Sequence, residues 1–82
     1  MIDKDEIGDI SPEALTCDGF DEAIIGIAER IGMETIVAYD KDKVLEILMK
    51  DMSYEEAMEY YEYNILGAWM GDFTPIFIEK IV

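Results

Sequence analysis

The sequence predicts an α+β fold, a two-layer domain in the order β-β-α-α-β with a three-stranded sheet covered by a helical hairpin. Three observations predict it. Residues 35–39 (TIVAY) form a β-branched and aromatic cluster, the composition of a strand. Residues 53–68 repeat apolar side chains at i, i+3, i+4 and i+7 behind an S-x-x-E start, the pattern of an amphipathic helix. The chain has 82 residues, enough for one modest core that every element must share.

Taken in order, residues 1–16 read as an acidic tail that lays Ile7, Ile10 and Leu15 on the body, and residues 17–82 as the single α+β domain. Asp3, Asp5, Gly8 and Asp9 fall at the first, third, sixth and seventh places of an EF-hand calcium loop. Ile7 and Ala14 stand where its fifth- and twelfth-place ligands belong, so the match is partial.

Two apolar runs then flank Gly32. The first admits two readings. Glu22 to Ile31 is a short helix closed by Gly32, or Ala23 to Arg30 is a strand with Ile25 and Ile27 on one face and Ile24 on the other. Gly26 weakens both, and the β-branched cluster with its short connection favours the strand.

Asp40 is positioned to cap a short helix through Met49, with Val44, Ile47 and Leu48 spaced for one buried face. The Ser53–Glu56 box opens the longest helix. Tyr54, Ala57, Met58, Tyr61, Ile65 and Ala68 form its apolar stripe, and Glu55, Glu59 and Glu62 line another face. Tyr60 and Tyr63 sit at the flanks. Gly67 stops this helix, Gly71-Asp72 supplies a turn, and Thr74 to Ile81 is the last strand, with Pro75 near its start or on an edge. Which earlier strand it joins is left open.

Charge dominates the composition. Twenty acids against six bases give a formal net charge of −14. Such a surface repels nucleic-acid phosphates and anionic membrane, so direct binding to either is not expected. It suits a basic protein surface, including one that an acidic face would engage by imitating a phosphate backbone. With one cysteine and no histidine, an intrachain disulfide is impossible, a Cys–His nucleophile is excluded, and zinc lacks ligands. Cys17 is expected to pack beside Phe20. The first ten residues lack the apolar run of a signal peptide, and no stretch approaches a membrane span, so a reducing cytoplasm is the expected compartment.

Residues 18–77 resemble a family of small phage and prophage proteins. The resemblance rests on DGFDEAIIGI, VAYDKDKVLEILM, DMSYEEAMEYYEYNILGAW and GDFTPIF in that order and spacing. The family carries no established activity, so the resemblance implies no catalytic residue. It implies a phage-encoded cytoplasmic protein that acts by binding a host or phage protein.

Three clusters are candidates for function. Trp69, Asp72 and Phe73 lie on a glycine-flanked segment able to anchor a partner, although Trp69 equally suits plugging the end of the core. Asp18, Asp21 and Glu22, with Asp40, would gather at one end of the sheet if the hairpin forms, as a weak metal or acid–base site. Glu55, Glu59 and Glu62, with Glu56 among the tyrosines, can present carboxylates to arginines of a partner, or simply form a solvated face. The expected function is a non-enzymatic interaction module with no cofactor, contacting a host or phage protein through Glu55, Glu59, Glu62, Trp69, Asp72 and Phe73. The alternatives are a metal-binding or metal-assisted enzyme using Asp18, Asp21 and Asp40, and a self-associating domain that forms a homodimer.

Overall fold

The computed structural model describes residues 14–17, 19–68 and 70–81. Asp3, Asp5, Gly8 and Asp9 of the EF-hand-like pattern, together with Asp18 and Trp69, lie outside the described residues. Five main elements follow the expected order: β1 (Ile24–Ala28), β2 (Ile36–Asp40), α1 (Lys41–Leu48), α2 (Tyr54–Tyr60) and β3 (Ile76–Ile78). A 3₁₀ turn (Asp21–Ala23) leads into β1, and a π-helical segment (Tyr61–Leu66) continues α2. The sheet order is β1-β2-β3, antiparallel between β1 and β2 and parallel between β2 and β3. The last strand therefore joins the second, which stands in the centre.

Residues 23–31 make a strand and a turn, as expected, but the faces differ. Ile24 pairs with Tyr39 and Gly26 with Ala38, so one residue, Ile25, is extra on β1. A bulge of this kind shifts the alternation by one place. Ile24 and Ile27 thus both pack with the core, and Ile25 is exposed. The hairpin turns at Gly32, whose φ of +82° is costly for any residue with a Cβ. Met33 N–H donates to the Arg30 carbonyl at 3.0 Å across that turn.

Asp40 ends β2 and caps α1, its Oδ1 accepting from the amides of Asp42 (3.0 Å) and Lys43 (3.4 Å). Val44, Leu45 and Leu48 are the buried side of α1, with Ile47 half-buried beside them. Leu45 was not among the residues expected to be buried. A stripe on a surface helix spans more than one line of residues, and Leu45 stands beside Leu48 on it. Ser53 and Glu56 complete the capping box that starts α2.

Past Tyr60 the helix widens, and Gly67 N–H donates to the Glu62 carbonyl at 3.1 Å, an i to i−5 bond. One extra residue in the turn rotates everything after it away from the 3.6-residue stripe. Ala57 and Tyr61 are buried and Met58 and Ile65 half-buried as expected, while Ala68 is exposed. Tyr54, at the open first turn, is also exposed. Gly67 does end the helix, but with φ −77° rather than a left-handed conformation. A glycine is needed there because a Cβ would stand 2.9 Å from the Glu62 carbonyl oxygen.

The core lies between the sheet and the helices. Val37, Tyr39 and Val44 are fully buried, and an aromatic group forms its centre. Phe77 stacks on Tyr39 (5.6 Å, 26°) and meets the edge of Tyr61 (5.5 Å, 90°). Each large side chain buried here contributes about 1.5–3 kcal/mol. Cys17 and Phe20 pack on the same cluster, and Cys17 N–H donates to the Tyr39 hydroxyl at 2.7 Å. Leu15 N–H donates to the Phe73 carbonyl at 3.3 Å, so residues 14–17 lie against the body. On the opposite face of the sheet, Ile36 and Ala38 are buried, while Ile76 and Ile78 of the short edge strand are exposed.

Candidate interaction surface

Charge is divided sharply along the chain. Residues 51–79 contain seven carboxylates and no lysine or arginine. Of the four lysines that flank this stretch in sequence, Lys50 is exposed and the other three are drawn into pairs. Lys41 donates to Glu79 at 2.9 Å, Lys43 pairs with Glu46 at 3.2 Å, and Lys80 stands 3.6 Å from Asp40. The Lys41 ammonium also lies 5.6 Å above the Tyr61 ring. Its hydrogen bond to Glu79 holds its pKa above the ordinary lysine value.

The side of α2 and its π-helical continuation that faces solvent is left acidic. Glu55, Glu59 and Glu62 are all exposed, and no ion pair engages them among the described residues. Local structure does not account for all three. Glu55 is in the first turn, where the helix dipole favours an acid by about 0.3–1 kcal/mol. Glu59 gains no such benefit, and its i, i+4 pairing with Glu55 costs about 0.2–0.5 kcal/mol. Glu62 is at the start of the π segment, nearer the unfavourable end.

Glu56 is held differently. Its Oε1 accepts from the Ser53 hydroxyl (3.0 Å) and amide (3.4 Å), fixing the carboxylate at the helix start. With Glu59, Tyr60 and Tyr63 it lines a shallow groove of about 410 Å³ that also touches Met52 and Asn64. Tyr60 and Tyr63 are exposed at the helix flanks, as their positions in the sequence suggested. The surface is thus carboxylates interleaved with phenol rings, and both groups receive guanidinium well.

The second candidate segment turns at Gly71. The Thr74 hydroxyl donates to the Gly71 carbonyl at 2.7 Å and accepts from Met70 N–H at 2.8 Å. Asp72 is exposed on this turn, and Phe73 is half-buried.

The carboxylates near β1 do not assemble into a metal site among the described residues, where no three potential ligands come together. The Asp40 carboxylate is taken up by the α1 cap and Lys80. Asp21 lies in the 3₁₀ turn before β1, near the Tyr39 phenol. That phenol is pushed up to about 12, chiefly by burial, against the opposite pull of the Cys17 amide hydrogen bond. Burial also raises Tyr61. Both tyrosines are core groups.

The sequence places the three exposed glutamates and Glu56 beside them, but gives no sign that Met52 and Asn64 line a groove with them. The absence of any cation from residues 51–79 was the available signal for the acidic side. Among the described residues, no helix is long and apolar enough to cross a membrane. No family model, no curated protein and no solved structure matches the chain.

Proposed function

We propose that the protein is an acidic, non-catalytic interaction module that binds a basic surface of a partner protein through the exposed side of α2. One observation carries the reading: a cation-free stretch of 29 residues (51–79) presents Glu55, Glu59 and Glu62 to solvent with no ion pair among the described residues. Exposed Tyr60 and Tyr63 supply rigid contact area beside the charges. Asp72, exposed on the turn after the helix, and the half-buried Phe73 belong to the proposed surface by their place in the sequence. Trp69 belongs to the same proposed surface by its place in the sequence. The partner is a host or phage protein in the bacterial cytoplasm, a context carried by the resemblance of residues 18–77.

Affinity capture from a bacterial lysate tests this reading, comparing the wild type with a Glu55→Lys, Glu59→Lys, Glu62→Lys variant that retains the native circular dichroism. A partner bound by the wild type, weakened by salt and lost by the variant is the expected result. Capture indifferent to the charge reversal would refute this surface.

A further inference from the structure

Parallel strands β2 and β3 begin at the same end of the sheet, and there the end of the π segment and the hairpin turn enclose an apolar groove of about 470 Å³. Its size falls in the range of roughly 300–1,000 Å³ usual for ligand grooves. Leu66, Met33 and Ile76 line it while 56%, 50% and 37% exposed, so large apolar side chains from three separate elements stand open to solvent around one concavity. A folded domain gains nothing in stability from leaving them there, and contiguous exposed apolar surface marks sites of association.

The rim of the groove carries Glu34 and Asp72 and no cation among its lining residues. Leu66 follows Glu62 by four residues on the same helical segment, so the groove opens at the end of the acidic side of α2. Charge decides between occupants. A second copy would bring another fourteen net negative charges to an acidic rim, whereas a cationic segment gains from both the rim and the helix.

We infer that this groove receives the apolar anchor side chain of a basic partner segment whose flanking cations lie along Glu62, Asp72 and Glu34. The inference rests on the acidic-surface reading and specifies its partner: a basic segment interrupted by a large aliphatic or aromatic residue. The carboxylates steer and orient the segment, and burial of the anchor against Leu66, Met33 and Ile76 slows its release.

The test uses the full chain and two fluorescein-labelled peptides, one with a single leucine between two runs of arginine and its alanine counterpart. Anisotropy titrations are run with the wild type, Leu66→Ser, Met33→Ser and the triple charge-reversal variant. Both groove substitutions remove exposed side chains, and native circular dichroism is checked first. The leucine peptide is expected to bind about tenfold tighter than the alanine peptide, a difference that each groove variant abolishes. Equal affinity for the two peptides, lost on charge reversal, would overturn the groove inference and leave the acidic helix reading standing. Discrimination by leucine that survives charge reversal of the helix would refute the helix surface and leave the groove. Binding of neither peptide overturns the inference. So does a wild-type dimer in light scattering that Leu66→Ser converts to monomer, since the groove's occupant is then a second copy.

Discussion

Replacing Gly67 by alanine sets two effects of opposite sign against each other. Gly67 has φ −77° and ψ −6°, a conformation alanine adopts freely. The loss of glycine's freedom in the unfolded chain should therefore stabilise the protein by about 0.4–1 kcal/mol. The new Cβ, however, would stand 2.9 Å from the Glu62 carbonyl oxygen and 3.3 Å from that of Tyr63. Both are backbone atoms, so no side-chain rotation relieves the contact. Overpacking of this kind costs about 1–3 kcal/mol, and opening the turn also weakens the Gly67 N–H bond to Glu62. The clash wins, by about 1–2 kcal/mol. In a domain of this size, that lowers the melting temperature by roughly 5–15 °C. Urea unfolding followed by circular dichroism measures it, with a midpoint about 0.5–1 M lower expected. A midpoint equal to or above the wild type would refute the close approach in the π segment. Gly32→Ala is the control: beyond its own chain neighbours no atom lies within 4 Å of its Cβ position, so its cost of about 1–2 kcal/mol comes from the positive φ.

Further outcomes test other parts of the structure. Ser53→Ala removes the reciprocal cap of α2 and should cost about 1 kcal/mol in urea unfolding, with Ser53→Gly nearer the wild type. Tyr39→Phe removes the hydroxyl that accepts from the Cys17 amide and should cost about 0.5–1.5 kcal/mol at neutral pH. The folded Tyr39 phenol titrates near 12 against about 10 when unfolded, so its contribution is fully present below pH 10 and declines as pH rises through 12. Alkaline titration of stability should show this loss, and Tyr39→Phe should reduce it, leaving the part due to the raised Tyr61. Neutralising Glu59 to glutamine removes its i, i+4 repulsion with Glu55 and should raise stability by a few tenths of a kcal/mol at low salt, while weakening partner capture.

Much of the fold was legible because it is encoded by neighbours in the sequence. Asp40 as a cap, the Ser53–Glu56 box, the hairpin at Gly32 and the turn at Gly71 each depend on residues a few places apart. The bulge at Ile25 was not legible. It arises from pairing with β2, and period-two alternation along β1 contains no sign of it. The π segment escaped for a similar reason. Tyr61 and Ile65 satisfy both an α-helical and a wider turn, and only the exposure of Ala68 separates them. The parallel pairing of β3 and the apolar groove both depend on the juxtaposition of distant segments. The glutamates of the acidic side, Glu56 among them, are readable from helical spacing, whereas the groove that Glu56 lines with Met52 and Asn64 is not.

The placement of β2 between a near neighbour and a distant one has a kinetic consequence. Its pairing with β1 closes a short loop, but Ala38 meets Ile76 only after both helical segments have been brought back over the sheet. Contacts of such separation must meet the entropy of closing the intervening chain before they return any energy. Folding should therefore begin in the hairpin and α1 and finish with β3, whose Phe77 locks Tyr39 against Tyr61. Until that step, Ile36, Val37, Ala38 and Tyr39 of β2 lie along an unpaired edge that only Asp40 interrupts, so a chain that has not yet docked β3 is more prone to aggregation than the finished molecule.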